Sequence, residues 1–519
     1  MSSTRRIHIR NILVNWIGYG TNLVVMLFLS PFVIHTLGKV EYGIWSLLTV
    51  LTGYMGVLDL GIRSSTGRYV ILYLGKGDHQ KVVETIRTGL GFFAFTGVVI
   101  QVVAALIGWV FPSAFADVPV EYHGTVKLLL PLLAANVWIS AFTSVIACIL
   151  PAHDRFDLRC GLDVSVLAFR TAGTVAALKM GYGLVGLSLV VVACNVLSLV
   201  GAWYLSHRIY PSLKVWPPVY SKERLRELLT YGMYALIGTI AIKIIGQTDL
   251  IVTGMAISVA AVAVYSVGAT LIYYSSTLIE QINLTLFPPV QRFIARGEMG
   301  PAKWLFFRQV RLAMLVGLPM NIGFLVFGTE FIRLWMRRGD FTEADVLVAG
   351  GVMAILAASK LLILFKSGSE SLVAAMGHIR FSAIMSISHA LLNLGLSLFF
   401  VLVLKWGLAG VAAGTLVGRL IGGTFIVPWY ACGKMKINWW RYLANIGGRE
   451  MIAIMAFGAV CLGIRWIFPC ASWFVFGADV VLSLVCYVPI AWIVLVPQDD
   501  KNRVLIWVRN RWSNRSAGR

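Results

Sequence analysis

Gly53-Tyr-Met-Gly-Val-Leu-Asp-Leu-Gly-Ile-Arg-Ser-Ser-Thr-Gly-Arg-Tyr-Val70 decides how the rest of the chain is read. It lies within a long apolar run, yet it holds Asp59, Arg63 and Arg68. An ionisable group inside a spanning helix costs roughly 2.5–3.5 kcal/mol on insertion scales, so such groups face a partner or a water-filled cavity. Asp59 and Arg63 stand four apart, a spacing that puts them on one face of a helix and lets them pair. Two meanings are open for the pair: a structural clasp between helices, or the lining of a polar path. Gly53, Gly56, Gly61 and Gly67 interrupt the same run and permit close helix contact or bending.

The composition supplies the membrane. Of 519 residues, 58% are hydrophobic and 13% charged, with a mean hydropathy of +0.81. Soluble domains carry about 25% charged residues, so this chain cannot coat a water-facing globule. The net charge of +21 would point to nucleic acid in a soluble protein. Here it reads as basic loops against anionic lipid head groups, with no nucleic-acid partner. Seven cysteines without a CxxC pair support neither a disulfide framework nor a zinc site.

A hydrocarbon core of about 30 Å takes about 20 apolar residues as a helix. On that ruler the sequence predicts an all-α integral membrane protein with about 14 transmembrane helices. They form two pseudo-symmetric six-helix lobes plus a C-terminal helix pair. The first two spans are expected near 12–35 and 43–73, the last pair near 449–468 and 473–496. The predicted divisions are an N-terminal lobe over 1–210, a linker over 211–224 with Pro211, Pro217 and Pro218, and a C-terminal lobe over 225–435. Extra helices over 436–497 and a basic tail over 498–519 complete the chain. Alternate connections are rich in Lys and Arg, which predicts that both termini are cytoplasmic. The two halves echo each other. Tyr42 is followed 26 positions on by Arg68, and Tyr265 is followed 27 positions on by Arg292. Each copy closes on a basic-glycine-acidic turn, so the repeat is parallel.

Other ionisable residues fall inside predicted helices. Besides Arg63 and Arg68, the cations are Arg170, Lys243, Lys360, Lys366 and Arg419; the acids beside Asp59 are Asp249, Glu280 and Glu370. A net-positive interior follows, suited to a phosphate or pyrophosphate, which Arg binds bidentately and Lys as a point charge. Lys127, Arg308, Arg311 and Arg465 lie near helix ends and are expected to snorkel. His35, His153 and His389 are expected to pack. No catalytic residue or metal ligand set is expected. The missing G-x-x-x-x-G-K-[ST] loop rules out P-loop hydrolysis, and the absence of a D-x-D pair disfavours a membrane-embedded glycosyltransferase or polymerase.

Leu37-Gly-Lys-Val-Glu-Tyr-Gly-Ile-Trp-Ser46, followed by Leu58-Asp-Leu-Gly61 and Arg68, resembles the polysaccharide transporters of the multidrug/oligosaccharidyl-lipid/polysaccharide (MOP) exporter superfamily. The second half agrees through Thr248-Asp249-Leu-Ile-Val, Val264-Tyr-Ser-Val267 and Phe287-Pro-Pro-Val-Gln-Arg292. The resemblance implies two six-helix lobes in a V around a cationic cavity. It also implies alternating access that flips a polyprenyl-pyrophosphate-linked oligosaccharide to the outer leaflet for O-antigen, capsule or exopolysaccharide synthesis. No cofactor is implied. The coupling ion would be H+ or Na+, with Asp59, Asp249, Glu280 and Glu370 as the acids that could carry it. Anionic lipids, a polysaccharide polymerase and chain-length machinery are the expected partners. The alternative within the superfamily is a drug or cation antiporter, disfavoured by the cationic interior.

Overall fold

A computed structural model describes residues 3–498 except 214, 216–220, 423 and 471, together with 501, 502 and 506. Within helices, the side chains of 3–17, 234–235, 237–239, 241–242, 284 and 379 are left out. Most of the basic tail and part of the predicted linker therefore lie outside the described residues.

No strand occurs among the described residues, and their regular elements are all helices. Among the described residues twelve helical stretches are long and apolar enough to cross a membrane, and the chain is a multi-pass membrane protein. The expected 14 are not reached on this measure. The predicted spans 12–35 and 43–73 meet in one element, α1 (Ser3–Met55), whose left-handed Gly38 (φ 76°) kinks it. The helix after the linker, α8 (Lys222–Ala256), is not among the twelve.

The chain packs as two compact units, Met1–Val264 with Arg338–Phe341, and Tyr265–Arg337 with Thr342–Arg519. The first holds α1, α2 (Ile62–Gly75), α3 (His79–Ala114), α4 (Glu121–Ala147), the short α5 (Ile149–Ala152), α6 (Phe156–Lys179), α7 (Gly183–Ile209) and α8. Helix starts follow side-chain chemistry: Asp78 accepts from the Lys81 N–H at α3, and Ser221 from the Arg224 N–H at α8. Although α8 follows the linker in sequence, it packs on α1, α2 and α3. Arg224, almost fully buried, fixes its start. The guanidinium contacts Glu227 at 2.7 Å, Glu223 at 3.1 Å and Glu84 at 3.6 Å, and donates to the Tyr73 hydroxyl at 2.7 Å. Ile44, Leu47, Leu48, Ile100, Leu129 and Val262 centre one apolar core of this unit.

The second unit begins within α9 (Val259–Ala295), which continues through Pro288 and Pro289. It then holds α10 (Met299–Met336), α11 (Glu343–Lys366), α12 (Ser369–Ala375), α13 (Ile379–Leu398), α14 (Gly407–Ile421), α15 (Ile426–Lys434), α16 (Trp439–Tyr442), α17 (Arg449–Ile467) and α18 (Trp473–Ile490). A reciprocal Thr342–Asp345 capping box starts α11. The last helix pair is joined to α10 by more than apolar contact. Arg465 of α17 bonds Glu330 at 2.5 Å and the Val326 carbonyl at 2.7 Å. The Tyr487 hydroxyl of α18 donates to the Leu315 carbonyl at 3.1 Å. Arg465 thus pairs rather than snorkels, because an acid and a helix carbonyl stand within its reach.

Candidate functional site

The segment 53–70 is not one helix. After α1 comes a 3-10 turn over Gly56–Asp59, then Leu60 and Gly61 both turn left-handed (φ 47° and 74°), and α2 begins at Ile62. Only glycine adopts that conformation without penalty, and a side chain at Gly61 would also collide with the Gly232 carbonyl of α8. Asp59 bridges the break. Its Oδ1 accepts from the Gly61 N–H at 2.6 Å, and its Oδ2 lies 3.3 Å from Arg63 Nε. The expected pairing exists, but across a helix break and not along a helical face.

Arg63 then reaches α4, donating to the Val137 carbonyl at 3.1 Å and the Ser140 hydroxyl at 3.2 Å. Lys243 of α8 completes the group, near enough for the charges of Arg63 and Asp59 to act on it. Close packing at Gly53 admits α8: a Cβ there would stand 3.0 Å from Gln247 Oε1 and 3.5 Å from Lys243 Nζ. Tyr54 holds the neighbouring turn through Thr248 Oγ1 at 2.6 Å. One acid and two cations give this half-buried cluster a net positive charge.

A second cluster forms in the other unit. Lys366 Nζ donates to Glu370 Oε1 at 2.6 Å, across Ser367 and a left-handed Gly368 (φ 78°) that separates α11 from α12. Arg419 of α14, buried, donates to Ser359 Oγ at 3.0 Å. Lys360 feels the charges of Arg419, Glu280 and Lys366. His389 of α13, expected only to pack, is buried beside this group and interacts electrostatically with Lys366, Arg419, Glu370 and Lys360. By residue type, three bases stand against two carboxylates in this cluster.

A neutral polar network supports the Gly368 break, and sequence reading missed it. Gln309 of α10, 1% exposed, donates to Asn283 Oδ1 at 2.9 Å and Ser371 Oγ at 3.2 Å. Ser367 Oγ donates to the same Asn283 oxygen at 3.0 Å. A lone glutamine on an otherwise apolar α10 face was the available signal, since a buried amide needs partners.

The remaining candidates stand apart. Arg68 is exposed, its guanidinium 4.1 Å from the centre of the Tyr231 ring. Asp249 is buried on α8 within electrostatic reach of Tyr54. Arg170 lines a cleft of about 370 Å³ between α1 and α6, with Arg159 and Asp163. In the loop between α17 and α18, Cys470 donates to Asp479 Oδ2 at 2.9 Å. Burial first, then that carboxylate, push the Cys470 thiol up to about 12. Among the described residues no three His, Cys, Asp or Glu side chains converge to hold a metal ion.

The family described as polysaccharide biosynthesis protein matches residues 36–337, more than half of the chain. The chain belongs to that family. The chain is 22% identical over 438 residues to a Shigella flexneri protein carrying the name "Putative O-antigen transporter", covering 81% of this chain and 97% of the relative. Its fold is that of the MOP exporters. The inward-facing structure of a multidrug resistance MATE transporter of that superfamily aligns at TM-score 0.69 and 14% identity, over 80% of this chain and 98% of the other. The lipid II flippase MurJ, in an inward closed conformation, aligns at TM-score 0.67 and 15% identity, over 93% and 98%.

Proposed function

We propose that the protein is a secondary transporter, not an enzyme, that flips a polyprenyl-pyrophosphate-linked oligosaccharide across the inner membrane for surface polysaccharide synthesis. The observation that carries this reading is the pair of base-rich clusters held between helices, one built on Arg63 and Lys243, the other on Lys360, Lys366 and Arg419. Cations held in a low-dielectric setting repel a cationic drug and attract a pyrophosphate or acidic sugar. The name of the Shigella relative and the MurJ-like fold support the same substrate class. In this reading both termini are cytoplasmic, and transport proceeds by alternating access driven by H+ or Na+. Asp59, Asp249, Glu280 and Glu370 are then the candidate acids for the coupling ion, and a polysaccharide polymerase consumes the flipped product.

The test uses a deletion strain complemented with Arg63→Ala or Lys366→Ala. Each variant is expected to reach the membrane at wild-type level while surface polysaccharide falls about tenfold. That is the scale of one lost charge-assisted hydrogen bond. Lipid-linked glycan should build up in the cytoplasmic leaflet. Wild-type surface polysaccharide in both variants at equal protein level would overturn the reading.

A further inference from the structure

The cleft between α1 and α6 belongs to neither cluster. Its wall on α6 carries Arg159, Asp163, Val166, Leu167 and Arg170, and its wall on α1 carries Gly18, Tyr19 and Asn22. Arg159 and Arg170 are 11 positions apart, which brings them back to the same helical face about 16 Å apart along the axis. Gly18 lets the helices approach: a Cβ there would stand 2.7 Å from Cys160 Sγ. At the Arg159 end the charge is already compensated, since Nε lies 3.1 Å from Asp163 Oδ2. Arg170 differs. Among the described residues no carboxylate or hydrogen-bond acceptor pairs with it, and its electrostatic neighbour is the Cys194 thiol.

Depth narrows the ligand. Arg170 is the fifteenth of the 24 residues of α6, about 21 Å from one end and about 14 Å from the other at 1.5 Å per residue. That position is inside the hydrocarbon layer, where resident phospholipid phosphates do not sit. A guanidinium there, beside an apolar strip of Val166 and Leu167, matches an anion that travels with an apolar chain.

We propose that this cleft is an intramembrane way-station for the phosphate of a prenyl-linked lipid in transit. Arg170 is its anion partner, Asn22 an additional donor, and Val166 with Leu167 the bed for the chain. The assignment rests on the flippase reading above and names one stop for its substrate's phosphate.

The full-length protein, reconstituted in phosphatidylcholine nanodiscs, is exposed to a benzophenone-bearing farnesyl phosphate and to the corresponding farnesol. Labelled peptides are mapped by mass spectrometry. The phosphate probe is expected to label the α6 segment around Val164–Leu167 at least tenfold more than the alcohol. Arg170→Gln should remove that preference, and Arg170→Lys should keep most of it. Leu167→Asp offers Arg170 a competing carboxylate one turn away, and it tests the same point should Arg170→Gln not fold. Equal labelling by phosphate and alcohol, or wild-type labelling in both Arg170→Gln and Leu167→Asp, would overturn the proposal. Unlabelled farnesyl phosphate should displace the probe. Displacement by a similar amount of phosphatidylglycerol would make the cleft a resident-lipid site and overturn the transit assignment. Failure of the labelling with export still lost in Arg63→Ala sinks the way-station alone; intact labelling with normal export in Arg63→Ala sinks the flippase reading, and with it the transit role, leaving the cleft a prenyl-phosphate site only.

Discussion

Two short segments, Asp59-Leu-Gly-Ile-Arg63 and Lys366-Ser-Gly-Ser-Glu370, share one local device with opposite polarity. A charged residue, a left-handed glycine two positions on, and a counter-charge two further let an ion pair bridge a helix break. Spacing of four made both pairs legible in the sequence. Their geometry was not, because the same spacing describes a continuous helical face, and only the central glycine separates the two cases. Gly61→Ala is expected to cost about 1 kcal/mol for the left-handed backbone, and more for the collision with the Gly232 carbonyl. Thermal unfolding in detergent should show a loss of several degrees. Gly75→Ala, where nothing crowds the added methyl, serves as the control; equal melting of the two would refute the account. Cys470 offers a second check. With its thiol pushed up to about 12, the thiolate is scarce at pH 8, so maleimide should react slowly and faster as pH rises toward that value. Asp479→Asn removes the adjacent negative charge and should speed labelling severalfold at fixed pH; an unchanged rate would show that burial alone protects the sulfur.

Among the elements, α8 shows what a linear reading leaves out. Proline and charge mark its start after the linker, and both were visible, yet nothing in its sequence says which helices it packs on. Arg224 decides that locally, through acids contributed by α3 and α8 and a tyrosine from α2. Arg224→Ala removes the guanidinium that holds Glu84, Glu223 and Glu227, and because those carboxylates stay partly exposed the loss is on the scale of charge-assisted hydrogen bonds, about 1.5–3 kcal/mol. Tyr73→Phe removes a hydroxyl between Arg224 and Glu227, at about 1 kcal/mol. Unfolding midpoints should fall in that order, Arg224→Ala well below Tyr73→Phe, and the reverse order would contradict this assignment. The two copies of the internal repeat also diverge as elements. The copy around Arg68 breaks at Gly61, whereas α9 runs on through its two prolines. Matching sequence landmarks do not enforce matching backbone, because one glycine in a left-handed conformation ends a helix that proline only bends.

For the whole molecule, the helical membrane class followed from hydrophobicity, since 58% apolar residues leave no soluble solution, whereas the number of spans did not. Membership of the charged groups did not follow so directly. Of the eleven intramembrane charges singled out, the structure gathers three in one unit and five in the other, and it sets Arg68, Asp249 and Arg170 apart. Sequence periodicity assigns a residue to a helix face, but which helices meet at that face depends on packing between distant segments. The two clusters share no residue, so their contributions should combine as independent terms. Arg63→Ala with Lys366→Ala is expected to multiply the single-variant losses in polysaccharide export. A double variant no worse than the weaker single would mean that only one cluster meets the substrate.

The fastening of α17 and α18 to α10 through Arg465, Glu330 and Tyr487 bears on how the protein can be instrumented. A fluorophore placed near the end of α18 is coupled to α10 by hydrogen bonds as well as by apolar packing. It should therefore track the second unit as a body, without registering the private wobble of a loosely appended helix pair. Arg465→Leu should loosen that coupling and broaden the distance distribution such a probe reads.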